Sequence, residues 1–298
     1  MKPKSYLALF GMFFLAGLVF SQTAQVPQRT DNNVIVASYN IKWIGEIHHD
    51  FDKLAEVIQN FDVCGIIEIK SEAALGELTK SLKAKSGKDW GYVFGVRTHR
   101  PSGDYYEAYG AVWRKDRVEL GDGIISGVWD RSEKFRNDPF MVSFKRKIFD
   151  FTMIFIHTRW SKDDEGTRDG EIAEMAEQIL GLRGFLAERD LILAGDFNYP
   201  GENQAMKDMA EAAELTQIDP NQNSTFKNNL SGYASSYDHI YISESDTKEF
   251  IQGSSGVLDT TTLIYGSRST ENMRRSKQEL SDHLPVWAVF NVTLPDDD

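Results

Sequence analysis

The run Phe151–Ile156 reads Phe-Thr-Met-Ile-Phe-Ile, nearly all apolar at odd and even positions alike, and it ends in His157. A strand points alternate side chains to opposite faces, so a strand of this kind needs a sheet covered on each side. Other short apolar runs read as strands: Val34–Tyr39, Val63–Ile67, Ala108–Trp113, Phe149–His157, Leu191–Ala194, Tyr237–Ile242 and Pro285–Asn291. Between them, Asp52–Asn60, Glu72–Lys85, Glu171–Ala187 and, more weakly, Gly201–Leu215 carry apolar residues at helical spacing. Strands and helices alternate early and strands dominate late. That order predicts an α+β fold in one domain, with two packed sheets flanked by helices. The stretches Gly253–Gly256 and Gly266–Gln278 read as surface loops.

The first residues stand apart. Lys2 and Lys4 precede an apolar run from Tyr6 to Phe20, and Ser21 to Ala24 are small or polar. That is the layout of a secretory signal peptide over residues 1–24, cleaved near 21–24, with a secreted or periplasmic mature protein. The apolar run is shorter than the ~20 residues that span a bilayer. The catalytic domain is expected over 31–294, with no stable membrane association and as a monomer. Removing two lysines and no acids leaves 31 basic against 45 acidic residues, a charge of −14. Such a balance does not advertise general nucleic-acid affinity. The only cysteine, Cys64, sits in Val63-Cys64-Gly65-Ile66-Ile67, so no internal disulfide forms and a buried core thiol is expected.

The polar residues at strand ends carry the chemistry. Asn40 follows the first strand and, taken alone, reads better as a turn residue than as a site residue. Glu68 follows an apolar run, where a charge requires a partner. Both a Mg²⁺ or Ca²⁺ ligand and an ion pair with Lys70 satisfy that need. His157 closes the apolar strand, either as a core histidine or as a site residue. In Leu193-Ala194-Gly195-Asp196-Phe197-Asn198, Gly195 permits a tight exit, and strand alternation sends Asp196 and Asn198 to the same side. Asp238 opens a strand, and Ser281-Asp282-His283-Leu284-Pro285 places an acid beside an imidazole just before another.

Asn40, Glu68, the Gly195–Asn198 run and Ser281–Val286 occur in one order that resembles the endonuclease/exonuclease/phosphatase superfamily, over about residues 33–292. The resemblance implies a four-layer α/β/β/α sandwich of two mainly antiparallel sheets. Asn40–Gly45, Glu68-Ile69-Lys70, Glu107-Ala108-Tyr109, Arg136–Phe140, His157-Thr158 and Tyr237-Asp238 are most similar to the deoxyribonuclease I-like branch. Two departures stand out. Ile67 occupies a position where the family usually has Gln, and the paired cysteines of the animal enzymes are absent.

The resemblance implies a hydrolase of DNA phosphodiester bonds, acting on double-stranded DNA. Glu68, Asn40 and Asp282 would hold Mg²⁺, with Mn²⁺ and Ca²⁺ as alternatives. Asp238 would orient His283 to activate water, and Glu107 would pair with His157. Asp196 and Asn198 would position the water and a phosphate oxygen. Arg136, Tyr109, Lys70 and Lys42 would bind substrate. These roles suit a reaction that needs positive charge and a base near an anionic diester. The competing reading on the same scaffold is a sphingomyelinase or an inositol-phosphate phosphatase. A lipid enzyme should add exposed aromatics, and Trp129 and Trp160 fall in expected loops.

Overall fold

Runs rich in Val, Ile and Phe pair here into two six-stranded sheets. The computed structural model describes residues 25–95, 107–125, 134–160, 165–219 and 221–295; the expected signal segment 1–24 and Trp129 lie outside them. The chain runs β1 (Asn33–Ile44), α1 (Phe51–Ile58), β2 (Val63–Ile69), α2 (Glu72–Ser86), β3 (Trp90–Phe94) and β4 (Ala108–Arg114). It continues through β5 (Glu119–Ile125), β6 (Phe140–Arg146), β7 (Phe149–His157), α3 (Glu165–Phe185), β8 (Leu191–Asp196) and α4 (Gln204–Ala212). Then come β9 (Thr216–Gln217), β10 (Asp238–Ile242), β11 (Phe250–Val257), α5 (Thr260–Tyr265), α6 (Thr270–Glu279) and β12 (Val286–Asn291).

One sheet has the order β11-β12-β1-β2-β4-β3 and the other β5-β6-β7-β8-β10-β9. Each is antiparallel except for one parallel pair, β1 with β2 and β7 with β8. Val36, Ile67, Phe151, Phe155 and Phe290 fill the space between the sheets. Tyr39, Leu54, Ile58 and Leu78 pack α1 and α2 on the outer face of the first sheet. Ile156, Ile172, Ile179 and Met206 do the same for α3 and α4 on the second. Phe155 therefore faces the inner core and its neighbour Ile156 the outer one, which is why that strand is apolar on both sides. Each fully buried side chain of this size contributes roughly 2 kcal/mol. The result is the four-layer sandwich that the resemblance implies. Cys64 is buried and unbridged, and burial pushes its thiol far up. No helix of the described residues is long and apolar enough to cross a membrane.

Two expected loops are regular structure instead. Gly253–Gly256 lies inside β11, paired with β12, where Ser255 and Val257 are buried. The register shifts between Phe250 and Ser255, and Gly253 takes φ +74°, so the small residues mark an irregular strand. Most of Gly266–Gln278 belongs to α6. Ser269 caps it by accepting from the Asn272 N–H, and only Met273 and Ser276 are buried. With so narrow an apolar stripe, the helix is invisible to hydrophobic periodicity.

Candidate active site

Strand ends assemble the site, and their register sets the spacing. His157, the last residue of β7, is the register partner of Asp196, the last residue of β8; Asp196 in turn pairs with Asp238, the first residue of β10. Three chemically active residues thus occupy one rung at one edge of the second sheet. Gly195 makes the β7–β8 approach possible. A Cβ there would lie 2.0 Å from the Ile156 carbonyl oxygen, so the glycine serves close strand contact and not the exit turn.

The first sheet supplies the other half. The β1–β2 register shifts between Asn40 and Ile44, and the β2–β4 register between Ile66 and Ile69. Glu68 sits in that irregularity with φ +64°, and Trp43 has φ +48°. Both conformations are costly for residues with side chains, and irregularities of this kind re-aim side chains at functional sites. Glu107 immediately precedes β4, and Asp282 and His283 lie just before β12, separated from it by Leu284 and Pro285. Ser281 fixes that turn: its hydroxyl donates to the Asn40 carbonyl at 2.6 Å and accepts the His283 N–H at 3.1 Å.

Two imidazoles face each other across one carboxylate. His157 Nδ1 lies 2.5 Å from Glu107 Oε1, and His283 Nδ1 lies 2.8 Å from Asp238 Oδ2. Their Nε2 atoms lie 3.7 and 3.6 Å from Asp196 Oδ2. The Asn40 amide donates to Glu68 Oε1 at 2.9 Å and to Asp196 Oδ2 at 3.0 Å. Asp196 Oδ1 accepts the Asn198 N–H at 2.9 Å. Asn198 itself has φ +52°, so a left-handed turn, and not strand alternation, brings it to the cleft. Its amide donates to the Thr158 carbonyl at 2.8 Å.

The charges follow from this crowding. Burial disfavours the imidazolium of His157, but Glu107, Asp196 and Glu68 outweigh it and raise its pKa to about 10. Burial likewise opposes charge on His283, and Asp238 and Asp196 carry it well above its ordinary value. Burial pushes the Asp196 carboxyl up, against the pull of His283. At Asp282 burial is outweighed by His283 and by Lys42, whose Nζ lies 2.7 Å away, and the carboxyl is held below its usual range.

These groups line a cleft of about 930 Å³ that includes Lys42, Glu68, Glu107, Arg136, His157, Asp196, Asn198, Asp282 and His283. Asn40 and Asp238 stand directly behind it. Two expected substrate-binding residues do not line it. Tyr109 is buried beneath, where its hydroxyl accepts the His157 N–H at 2.8 Å, because β4 points it into the core between the sheets. Lys70 turns toward the Trp43 ring, 5.9 Å from its centroid. Other residues complete the site with no local signal in the sequence. Asn137 donates to Glu107 at 2.5 Å, the Ser224 hydroxyl donates to Asp238 at 2.6 Å, and Lys227 and Lys277 line the cleft.

A metal fits the donor set on one specific ground. The Asn40 Oδ1 atom is buried with no hydrogen-bond partner among the described residues, beside the Glu68 carboxylate. An orphaned amide oxygen next to a carboxylate suits a hard divalent cation. Ligand atoms of Glu68, Glu107 and His157 also lie within 4.8 Å of one another, as do those of Asp196, Asp238 and His283. In both groups the carboxylate–imidazole pairing already accounts for two members.

A model of the Endonuclease/Exonuclease/phosphatase family matches residues 37–283. No curated protein matches the chain in sequence. Among solved structures, a family protein from Leptotrichia buccalis aligns with TM-score 0.58 and 16% identity, over 86% of this chain and 98% of that one. One from Bacteroides thetaiotaomicron gives 0.56 and 20%, over 88% and 98%. D. rerio TDP2 complexed with single-strand DNA product gives 0.56 and 15%, over 87% and 99%. At these identities the likeness is one of fold.

Proposed function

The chain belongs to the Endonuclease/Exonuclease/phosphatase family as a metal-dependent hydrolase, and we propose that it is a secreted phosphodiesterase that cleaves DNA. The observation that carries this reading is the pair of carboxylate-held imidazoles whose Nε2 atoms converge on Asp196. Hydrolysis of a diester adds the elements of water across a P–O bond. It needs one group to take a proton from water and another to give one to the departing alkoxide.

Asp238 fixes His283 at Nδ1 and leaves Nε2 to accept the proton of the attacking water. Glu107 fixes His157 at Nδ1 and leaves its Nε2–H to protonate the leaving oxygen. Carboxylates raise both imidazoles, so the assignment rests on which ring meets the water and which the leaving oxygen, and not on a difference in their pKa values. Asp196, between the two rings, orients the water. Asn40, Glu68 and Asp282 would hold the cation, which when bound would stabilise negative charge on the phosphate oxygens. Lys42, Arg136, Lys227 and Lys277 supply local positive charge in an acidic protein. They favour a polyanionic substrate over a neutral one. The DNA product bound to D. rerio TDP2 supports the same substrate class.

The test is a panel of plasmid DNA, RNA, a chromogenic diester, sphingomyelin and an inositol phosphate, each with Mg²⁺. The proposal expects the highest kcat/KM on DNA. Preference for either lipid or inositol phosphate would overturn it.

A further inference from the structure

Trp160 is 69% exposed, yet it lines the cleft three residues after His157. Its ring has no ring contact and no hydrogen bond among the described residues. None of the other strongly exposed large apolar residues among those described lines the cleft. The two residues before it, by contrast, are held by their backbone N–H groups. The Thr158 N–H donates to the Asp196 carbonyl at 3.0 Å, and the Arg159 N–H donates to Glu171 Oε2 at 2.8 Å. The other oxygen of Glu171 accepts the Arg136 N–H at 2.6 Å. Glu171, on α3, is 1% exposed. One buried carboxylate therefore ties the segment leading to Trp160 to the segment carrying Arg136, and puts both on one lip of the cleft.

We propose that Trp160 is a stacking platform for an unpaired nucleobase of the strand seated in the cleft, with Arg136 at a neighbouring phosphate and Glu171 as the residue that positions both. This rests on the reading of the protein as a DNA phosphodiesterase. An indole face offers a base the same contact that bases offer each other, but only a base released from its duplex neighbours can use it. The cleft then prefers single strands, frayed ends or gaps over continuous duplex, in place of the double-stranded substrate that the family resemblance implies. The alternative for an exposed tryptophan is insertion into lipid. That role calls for a ring set in an apolar surface, whereas Trp160 shares its cleft with Lys42, Arg136, Lys227 and Lys277. Burial raises the Glu171 carboxyl to about 7, against the pull of Arg159, whose Nε lies 3.2 Å from Oε1.

The experiment measures kcat and KM for wild type, Trp160→Ala, Trp160→Phe and Glu171→Gln. The substrates are a single-stranded oligonucleotide and the same backbone with abasic linkers flanking the cut. Trp160→Ala should raise KM on the base-bearing strand roughly 10- to 100-fold more than on the abasic one. Trp160→Phe should recover most of that loss. Glu171→Gln should reproduce the KM pattern with a smaller change in kcat. Equal effects of Trp160→Ala on the two strands would overturn the platform. So would a loss of binding to sphingomyelin–phosphatidylcholine vesicles without a KM change. If wild type hydrolyses a chromogenic diester but neither oligonucleotide, the DNA reading fails together with the platform.

Discussion

His157 and Asp196 are register partners on the last rung of two adjacent parallel strands, with His157 Nε2 3.7 Å from Asp196 Oδ2. Strand pairing, and not a loop, therefore sets the distance between acid and carboxylate. Sites built on regular elements hold their geometry more closely than sites on loops.

That register depends on Gly195. Gly195→Ala forces a Cβ against the Ile156 carbonyl, and the strands must part. The variant should lose roughly 3 kcal/mol of unfolding free energy in chemical denaturation, together with activity. A loss below about 1 kcal/mol would show that the sheet accommodates the methyl group.

The two imidazoles are assigned opposite proton transfers. His157→Ala and His283→Ala should each lower kcat by roughly 10²- to 10⁴-fold with an unchanged circular dichroism spectrum. The double variant should be little worse than the weaker single, because the two act as a unit. Near-wild-type turnover in either would remove that residue from the mechanism.

Glu171 gives a pH signature. Its folded pKa of about 7 lies above the ordinary 4.5, so the native state holds this proton more tightly than the unfolded chain. Its contribution to stability is greatest below pH 4.5 and is lost as pH rises toward 7. The stability of wild type relative to Glu171→Gln should therefore fall across that window in denaturation curves. A difference independent of pH would contradict the assignment.

The sequence made the strand ends legible because each apolar run stops abruptly at a polar residue, as at His157 and Asp196. It also exposed Asp282-His283 through the adjacent acid and imidazole. It could not show that Tyr109 turns inward, since β4 is apolar on both faces and offers no alternation to read. Asn137 and Ser224 were hidden for another reason. Their roles come from contacts 30 residues away at Glu107 and 14 away at Asp238, and nothing local marks them. Strand β11 was masked by its small residues and α6 by its polar surface. In both, tertiary pairing overrides local preference.

Export is a proposal with a direct readout. Expressed in a bacterial host with a general secretion pathway, the protein should appear outside the cytoplasm. Intact mass should place its N-terminus between residues 22 and 25. Retention of residues 1–20 in the exported form would indicate an anchor.

In the proposed mechanism a cation held at Asn40, Glu68 and Asp282 works with the His157–Asp196–His283 constellation on a phosphodiester. The mechanism's most direct test is the rate of DNA cleavage by the purified protein before chelation, after removal of divalent ions with EDTA, and after adding Mg²⁺ back. The expected result is loss of cleavage to background and recovery with Mg²⁺, with no recovery in Glu68→Gln. Undiminished cleavage after chelation would contradict the account.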